Sequence, residues 1–410
     1  MNSPNINQQR LRKTKSLNNN NNNVYNNKKK WRPPGYYEIP NIFGTNCFLQ
    51  PTDHVYEYHL RKYNPSKNIS KKPWLPAGLC KDISKLPPLL RRSSSESTCH
   101  SYITSFQHQL NSILPKNITI SSVDPINKYH DFEEIGIGVN GPVLRVTHRL
   151  KSYKLAIKRC QIEIDPEYKQ AMVNELKIMS MGHKNLIRLR EITIWKQTLW
   201  IGLDLQLCSV FAILCQRAIP EPYTIYIFQE VLKGLVFLHA KGYIHRDIKS
   251  ENILVGFHGE IKLTDFGLST TIWVKHSHHK QQLNHDRLGT CKWMAPEVIR
   301  EQNYTEKIDI WSLGITLIEL MDRVPPHFLL KNDLDVFAAI LNHPNPTFTY
   351  SYPTTYLRCF ASWLLDVNAT TRPGANEVAE ELLSHIQSNL LKCSSPLEFI
   401  RFVNRTISTV

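Results

Sequence analysis

The sequence lacks paired cysteines, internal repeats and long apolar runs, and each absence excludes a class of protein. Nine cysteines are scattered over 410 residues without a CxxC pair or the spacing of zinc ligands, so neither a structural zinc site nor a disulfide framework is expected. No uninterrupted apolar run approaches the roughly 18–20 residues of a membrane span, and the first residues are polar where a secretory signal needs an apolar core. We therefore expect a soluble intracellular protein with reduced thiols.

Acidic residues are scarce in one part of the chain only. Residues 1–128 hold 19 Lys and Arg against 6 Asp and Glu, whereas residues 129–410 hold 31 against 29, so the net charge of +15 belongs mainly to the N-terminal third. The basic runs LRKTK and KKKWR in that third could contact an anionic membrane, an import receptor or nucleic acid. No folded basic module with stacking aromatic residues appears, so specific nucleic-acid binding is not expected. We predict a cytoplasmic protein, with nuclear entry or membrane association through the basic N-terminus as open alternatives.

The amino-acid composition and its patterning change along the chain. Residues 1–30 include SLNNNNNNVYNNKKK, a tract that buries too little apolar surface to offset its ordering entropy. From Trp31 to about Asn127, prolines mix with aromatic and basic residues, which favours short docking segments and linkers. Dense, patterned sequence begins at Tyr129. We predict a low-complexity, largely disordered extension over 1–128, one domain over 129–387 and a C-terminal tail over 388–410.

Strand patterns come first in this domain and helix patterns follow. DFEEIGIGVNGPVLRVTH, YKLAIKRCQI and TLWIGLDLQL are typical of strands, and DPEYKQAMVNELKIMSM is typical of a helix with Asp165 as its N-cap. Phe228, Val231, Leu235 and Leu238 recur at helical spacing and predict an amphipathic helix that ends before GYIHRD. We predict an α+β fold of two lobes: a small antiparallel sheet with one main helix, and a larger, mostly helical lobe. Chemistry is expected in the crevice between them.

A glycine-rich stretch precedes a lysine in an apolar strand. The stretch alone is weak evidence, because glycines between strands also serve tight turns. Lys158 in LAIK follows it, and a buried ammonium needs an anionic partner. Glu175 can supply that partner, since it shares one helical face with Met172 and Met179, although a single helical Glu is more commonly solvated. The stretch reads Gly136, Ile137, Gly138, Val139, Asn140, Gly141, Pro142 and Val143.

Two later motifs carry oxygen ligands and charge. YIHRDIKSENIL places Asp247, Lys249 and Asn252 within six residues, and LTDFGLS adds Asp265 thirteen residues further on. Mg²⁺ takes oxygen ligands, so one carboxylate, one amide and the phosphate oxygens of a nucleotide form a sensible coordination set. Magnesium and a lysine can together neutralise triphosphate charge, which phosphoryl transfer requires.

Together these motifs resemble a eukaryotic protein kinase domain over residues 132 to about 387. HRDIKSEN, WMAPEVI and EKIDIWSLGITLIEL are most similar to the sterile-twenty-like group, in particular its PAK-like branch, whose members often act upstream of MAP-kinase cascades or in cell polarity. The matching positions occur in family order: Gly136, Gly138, Gly141, Val143, Lys158, Glu175, His245, Arg246, Asp247, Asn252, Asp265, Phe266, Gly267, Ala295, Pro296 and Glu297.

The resemblance implies an ATP- and Mg²⁺-dependent transfer of phosphate to serine or threonine of protein substrates. Asp247 would accept or orient the hydroxyl proton, Lys249 would steady the phosphoryl group, and Asn252 and Asp265 would hold magnesium. Thr290 and Lys249 resemble the serine/threonine pattern. Lys158, fixed by Glu175, would contact the inner phosphates. The nucleotide contacts implied are Ile135, Gly136, Ile137, Gly138, Val139, Asn140, Gly141, Pro142, Val143, Ala156, Lys158, Asp204, Leu205 and Leu254, with Gln206 completing the hinge and Leu203 as gatekeeper.

The resemblance also implies three structural roles inside the domain. Asp309 resembles a buried aspartate that braces the catalytic loop. Arg372 resembles the arginine that pairs with Glu297. An inner stack would link helix position to the magnesium aspartate, and its members are Met179, Leu189, His245 and Phe266.

Several positions depart from the family pattern or bear on regulation. Asp286 stands where the PAK-like branch carries a phosphorylatable threonine, so its carboxylate could pair with Arg246 and order the loop without modification; an idle surface charge beside Arg287 is the alternative. Glu251 and Glu319 resemble acidic sites that receive substrate arginines, and they predict basic residues before the acceptor. Lys292 lies where the residue after the acceptor would pass, which favours acidic or polar groups there.

Other features leave alternatives open. RRSSSES offers Ser93 and Ser94 as autophosphorylation sites or as an unmodified linker. Four histidines of the activation segment could bind metal, but a solvated loop is the commoner case: His276, His278, His279 and His285. A small GTPase or a scaffold is an open partner, although residues 1–128 contain no match to the small-GTPase-binding motif. The rival function is a pseudokinase scaffold, against which the intact motif residues argue.

Overall fold

The computed structural model describes residues 36–38, 49–51, 96–138, 141–162, 166–275 and 281–407. Within these ranges, no helix is long and apolar enough to cross a membrane. The strands are β1 Tyr36–Glu38, β2 Leu49–Pro51, β3 Thr119–Ser121, β4 Tyr129–Gly138, β5 Gly141–His148, β6 Lys154–Gln161, β7 Leu189–Trp195, β8 Thr198–Asp204, β9 Cys208–Ser209, β10 Tyr243–Ile244, β11 Ile253–Val255, β12 Ile261–Leu263, β13 Thr270–Thr271, β14 Trp273–Lys275 and β15 Gln281–Leu283.

The helices alternate with these strands in the first half of the domain and dominate the second half. In the described ranges, 3₁₀ turns lie at Ser250–Asn252, Phe266–Leu268 and Cys291–Trp293. The α-helices are α1 Glu96–Ile113, α2 Pro125–Lys128, α3 Pro166–Ser180, α4 Val210–Gln216, α5 Glu221–Ala240, α6 Pro296–Ile299, α7 Lys307–Asp322, α8 Asp333–Asn342, α9 Thr355–Leu364, α10 Ala375–Gln387 and α11 Pro396–Ile407.

The smaller lobe is a six-stranded sheet with α3 packed on one face. Its strand order is β3-β7-β8-β6-β5-β4, and every pairing is antiparallel except that of β3 with β7, which is parallel. Along β6, successive side chains alternate between the two faces, so Ala156 and Lys158 point toward the same face. The predicted antiparallel sheet with one main helix is therefore present, and β3 adds a parallel strand at its edge.

Residues assigned by sequence to the N-terminal extension form part of this lobe. The extension was predicted over 1–128, yet α1, β3 and α2 all lie before Tyr129. Phe106 and Leu110 of α1 are fully buried in the same core as α3. The folded part of the chain thus begins earlier than Tyr129.

The larger lobe is built around α7, whose residues are buried on almost every side. Its sequence KIDIWSLGITLIELMD is apolar enough for complete burial, and α5 and α9 pack against it, while α10 packs on α5. The four apolar residues that predicted α5 by their spacing are all buried in it. The prediction of a mostly helical second lobe is confirmed.

The C-terminal tail also contributes to this core. Helix α11 is strongly amphipathic and packs its apolar face on α4 and α5. Phe399 and Phe402 contact Tyr223, with the Phe402 and Tyr223 rings stacked 4.6 Å apart. Residues 396–407 are therefore an integral helix of the larger lobe.

Candidate active site

The loop that contains His245 and Asp247 forms the floor of the cleft, and hydrogen bonds to α7 fix its backbone. The backbone N–H groups of His245 and Arg246 donate to the two carboxylate oxygens of Asp309 at 2.8 and 2.9 Å. Arg246 adopts a left-handed conformation with φ of 68°, so the loop turns sharply at this point. Burial favours the protonated form of Asp309, but hydrogen bonds from His239 and from the His245 backbone outweigh it and lower the pKa. An ionised, fully buried aspartate thus fixes the backbone just before Asp247.

Asp247 lies at the centre of a dense set of hydrogen bonds. Its carboxylate accepts from Asn252 Nδ2 at 2.8 Å and from Thr290 Oγ1 at 2.5 Å, and Lys249 Nζ lies 2.9 Å away. Burial opposes ionisation, but Lys249 and Thr290 hold the pKa of Asp247 below its usual value. Lys249 also donates to Thr290 Oγ1 at 2.6 Å. The carboxylate is therefore ionised at neutral pH and positioned to accept a proton from a hydroxyl group.

Lys158 projects from the sheet toward two carboxylates. Its Nζ lies 2.6 Å from Glu175 Oε1 of α3 and 3.6 Å from Asp265 Oδ1. Burial alone would lower the pKa of Lys158, but these carboxylates raise it well above the usual lysine value. The ammonium is charged at any physiological pH. It can therefore bind an anionic group in the cleft.

Asn252 and Asp265 offer oxygen atoms on the same side of the cleft. Asn252 uses its amide N–H groups on Asp247, and its Oδ1 takes part in no hydrogen bond with the described residues. The Asp265 side chain is 36% exposed, and its backbone is left-handed with φ of 63°. One amide and one carboxylate oxygen fit a hard divalent cation that completes its shell with phosphate oxygens and water. In the described parts of the chain, no three His, Cys, Asp or Glu side chains form a metal-binding cluster.

The residues predicted to contact a nucleotide come from the sheet of the smaller lobe and from β11. Ala156 and the gatekeeper Leu203 are opposite each other in the β6–β8 ladder. Ile135, 38% exposed, and the half-buried Leu254 come from β4 and β11. Ile137, Gly138, Gly141, Pro142 and Val143 belong to β4 and β5, whereas Val139 and Asn140 lie outside the described residues.

The hinge leaves fewer free backbone groups than the sequence suggested. The N–H of Asp204 donates to the carbonyl of Arg188 at 3.1 Å, and the Asp204 carboxylate pairs with Arg190. The Asp204 carbonyl accepts from the side chain of Gln206 at 3.3 Å. A nucleotide that hydrogen-bonds to the Asp204 backbone must therefore donate to the carbonyl oxygen of Asp204.

The inner stack connects α3 to the loop. Met179 and Leu189 are buried, and the rings of His245 and Phe266 lie 5.1 Å apart. Burial lowers the pKa of His245 and favours the neutral ring, whose Nε2 is 3.1 Å from the Thr264 carbonyl. With that nitrogen donating, Nδ1 is free to accept from the Asp247 backbone N–H at 3.3 Å.

A buried ion pair and a close backbone contact fix the activation segment on the larger lobe. Arg372 donates to both carboxylate oxygens of Glu297 at 2.6 and 3.0 Å, in a fully buried bidentate pair. Gly289 has φ of 132°, and a Cβ there would meet the Arg246 carbonyl at 2.8 Å. A glycine is therefore required one residue before Thr290.

The proposed pairing of Asp286 with Arg246 does not occur in the structure. The Asp286 carboxylate is 61% exposed and its ion-pair contact is His285, 3.8 Å away, while Arg287 pairs with Glu301. Arg246 donates instead to the hydroxyl of Tyr304 at 3.0 Å, and that hydroxyl donates to the backbone carbonyl of Asp286 at 3.1 Å. Arg246 thus reaches the activation segment at two places: directly at the Leu268 carbonyl, at 2.5 Å, and through Tyr304 at the Asp286 backbone. The motifs did not reveal this tyrosine. His276, His278 and His279 lie outside the described residues.

The two acidic sites expected to receive substrate arginines differ sharply in accessibility. Glu319 is only 3% exposed, and it accepts from the backbone N–H and hydroxyl of Ser250 at 3.1 and 2.5 Å. Glu251 is 25% exposed and lies 3.7 Å from Lys249. Lys292 donates to the Leu330 carbonyl at 3.0 Å. The expectation for Glu319 was wrong, because Ser250 holds its carboxylate inside the protein.

A two-lobed fold with Lys158–Glu175 in the smaller lobe and Asp247, Asn252 and Asp265 facing them is the arrangement typical of enzymes that transfer phosphate from a nucleotide. The family model described as "Protein kinase domain" matches residues 129–385, and the chain belongs to this family.

Known relatives confirm the resemblance to the sterile-twenty-like group. Serine/threonine-protein kinase CST20 of Candida albicans is 35% identical over 266 residues, which are 63% of this chain and 21% of that protein. Serine/threonine-protein kinase STE20 of Saccharomyces cerevisiae is 34% identical over 273 residues, 65% of this chain and 28% of that protein. Serine/threonine-protein kinase STE20 of Debaryomyces hansenii is 34% identical over 270 residues, which are 64% of this chain and 24% of that protein. The match thus spans about a quarter of the length of these relatives.

Proposed function

We infer that this protein transfers the γ-phosphate of ATP to serine or threonine hydroxyls of protein substrates. The observation that carries this function is the environment of Asp247. Its carboxylate is ionised, buried and held by Asn252, Lys249 and Thr290. A carboxylate so placed can orient a hydroxyl group and accept its proton. The kinase names of the relatives support the same reaction.

The remaining site residues supply charge and position. Lys158 binds the inner phosphates, while Glu175 keeps its ammonium directed into the cleft. Asn252 and Asp265 would hold Mg²⁺, which when bound neutralises triphosphate charge. Lys249, which bridges Asp247 and Thr290, is placed to steady the transferring phosphoryl group. Thr290 hydrogen-bonded to both residues supports serine/threonine rather than tyrosine as the acceptor.

Phosphate transfer from radiolabelled ATP to a generic basic protein tests this function. Lys158→Met should abolish transfer, because the phosphates lose their buried cation. Lys154→Met is the matched control, since Lys154 is exposed at the start of the same strand, and it should transfer normally. ATP binding without transfer by the wild-type chain would instead indicate the pseudokinase scaffold.

Because Glu319 is buried, the proposed preference for basic residues before the acceptor rests on Glu251 alone. Glu251 is accessible at the mouth of the site and keeps an acidic oxygen near Lys249. A positional peptide array should show a modest basic preference that Glu251→Gln removes and Glu319→Gln leaves unchanged. An array without any basic bias contradicts this preference.

The proposed regulation of the chain follows from the same site. Basal activity should not require phosphorylation of the activation segment, because Tyr304 already connects Arg246 to the Asp286 backbone. Complete loss of activity after phosphatase treatment of bacterially expressed protein contradicts this.

We also propose that the chain acts on protein substrates in intracellular signalling and that it has a small GTPase or a scaffold as a partner. We further propose cytoplasmic, nuclear or membrane placement through the basic N-terminus. A truncation of residues 1–30 that leaves localisation unchanged removes the last of these.

A further inference from the structure

Helix α1 carries an apolar stripe that faces the protein. Ile103, Phe106, Leu110 and Ile113 follow one another at steps of three, four and three, which places them on one side of a helix. Phe106 is 1% exposed and Leu110 is fully buried, whereas the opposite side is in solvent, including Ser105, His108 and Ser112. The helix is therefore packed on the smaller lobe along its length from residue 103 onward.

A cation–π contact joins α1 to helix α3. The ammonium of Lys169 lies over the Phe106 ring, 5.7 Å from its centre. Val173, one turn further along α3, is 5% exposed and belongs to the same core cluster as Phe106 and Leu110. Since residues four apart share a helical face, Lys169 and Val173 lie on one flank of α3, and Phe106 lies against Lys169 on that flank.

The chain that follows α1 is attached to the sheet as well. Strand β3 pairs with β7 from Thr119 to Ser121. Lys128 Nζ then donates to Ser121 Oγ at 3.0 Å and to Thr193 Oγ1 at 2.9 Å, and lies 3.3 Å from Glu191. Residues 103–128, here called the N-terminal strap, are thus fixed both to α3 and to the edge strand of the sheet. A segment attached both to α3 and to the sheet can restrain the position of α3 relative to the sheet.

The position of α3 decides whether the buried ion pair of the site forms. Glu175 comes from α3 and Lys158 from the sheet, so their 2.6 Å contact exists only while the helix lies close to β6. Val173 and Glu175 are two residues apart, which places them on opposite sides of the helix. The strap therefore contacts the flank of α3 that faces away from Lys158.

We propose that the N-terminal strap positions α3 for phosphate transfer, with Phe106 as a positioning residue that acts through Glu175. Without Phe106, the covered flank of α3 loses its apolar partner, and the helix is free to move outward and break the contact between Lys158 and Glu175. This inference rests on the proposed kinase function. It assigns part of the extension predicted over 1–128 to the working enzyme.

The experiment compares steady-state phosphate transfer by full-length variants. Phe106→Ala should lower kcat by about tenfold, equivalent to about 1.4 kcal/mol, with little change in the KM for a peptide substrate. His108→Ala, on the exposed side of the same helix, should match the wild type. Phe106→Leu, which keeps most of the buried area, should lose about twofold to threefold, and it keeps the test decisive if Phe106→Ala does not fold.

A double-mutant cycle separates positioning from a general loss of stability. In a Glu175→Gln background, Phe106→Ala or Phe106→Leu should lower kcat by less than about twofold, because the contact through which Phe106 acts is already lost. Hydrogen exchange of residues 172–179 should rise in Phe106→Ala and not in His108→Ala. Equal losses in both backgrounds, or wild-type kcat in both Phe106 variants, overturn the proposal. A wild-type chain that transfers no phosphate overturns the kinase function instead.

Discussion

The two halves of the cleft are held in very different ways. In the larger lobe, one buried helix reaches the catalytic loop at three places. Asp309 binds the backbone of His245 and Arg246, the Thr316 hydroxyl donates to the Ile248 carbonyl, and Glu319 binds Ser250. In the smaller lobe, the buried Lys158 ammonium has two carboxylate partners, and one of them depends on the position of a separate helix.

This difference divides the site into a rigid part and an adjustable part. A loop that is hydrogen-bonded from below by α7 can move only when the core of the larger lobe opens, which is costly. Helix α3 can move by repacking on its neighbours while both lobes stay folded. We therefore expect substitutions in the larger lobe to change stability together with activity, and a shift of α3 that leaves both lobes folded to change activity more than stability.

Asp247→Asn gives the largest expected effect and is the exception within the rigid half. The amide cannot accept the hydroxyl proton, so kcat should fall by about 10²- to 10⁴-fold, while the melting temperature stays close to that of the wild type.

Mass spectrometry of the wild type and Asp247→Asn also tests whether Ser93 and Ser94 are autophosphorylated. Equal modification in both would show that another kinase modifies these serines.

Arg372→Met should cause the largest loss of stability. It leaves Glu297 buried without its bidentate partner, at a cost of about 3–5 kcal/mol. Urea denaturation followed by fluorescence measures this loss. Arg358→Met, at an exposed position of α9, is the control and should stay within about 0.5 kcal/mol of the wild type. A small effect of Arg372→Met would mean that the larger lobe is not the rigid half.

Glu319 makes the stability of the larger lobe depend on pH. Burial raises the pKa of this carboxyl group to about 7, against the opposing hydrogen bonds from Ser250. The folded chain therefore binds more protons than the unfolded chain between about pH 5 and pH 7, and the free energy of unfolding falls across this range as pH rises. Glu319→Gln should remove a fall of up to about 3 kcal/mol.

Urea titrations at several pH values measure this dependence. Above pH 7 the free energy of unfolding should be level with respect to this residue in both proteins. Glu380→Gln, on the exposed side of α10, serves as the control and should keep the pH dependence of the wild type. If Glu319→Gln shows the same slope as the wild type, the carboxylate is ionised throughout.

Tyr304 and Asp286 give the smallest expected effects and the finest comparison. Tyr304→Phe removes the hydroxyl between Arg246 and the Asp286 carbonyl, at about 1 kcal/mol, and should lower the activity of unphosphorylated protein severalfold. Asp286→Asn keeps the backbone carbonyl and should leave that activity unchanged. The reverse order of effects would restore the Asp286 carboxylate as the group that orders the segment.

The sequence predicted which residues meet in the cleft more completely than the contacts that support them. Lys158, Glu175, Asp247, Asn252 and Asp265 stand in short motifs whose residue types follow from the reaction, so the pattern alone brought them together. Tyr304 was missed because it lies outside any motif. A tyrosine among polar neighbours is typical of a surface as well as of a buried hydrogen bond.

Accessibility was harder to predict than proximity. Glu319 and Glu251 were placed near the acceptor by the same resemblance, yet burial separates them, and burial depends on how the Ser250 hydroxyl packs. Helix α1 was missed for a different reason. Its mean hydropathy is low and it follows a proline-rich region, and only the spacing of Ile103, Phe106, Leu110 and Ile113 could have indicated an amphipathic helix.

Strand β3 has a practical consequence for fragments of this protein. It covers the outer edge of β7, and the match to the family model begins only at residue 129. A fragment cut at that boundary would present a bare row of backbone N–H and C=O groups beside an apolar strand, which is a template for pairing with another chain. Expression from residue 129 should therefore yield aggregates, whereas a start at or before residue 96 keeps the edge closed.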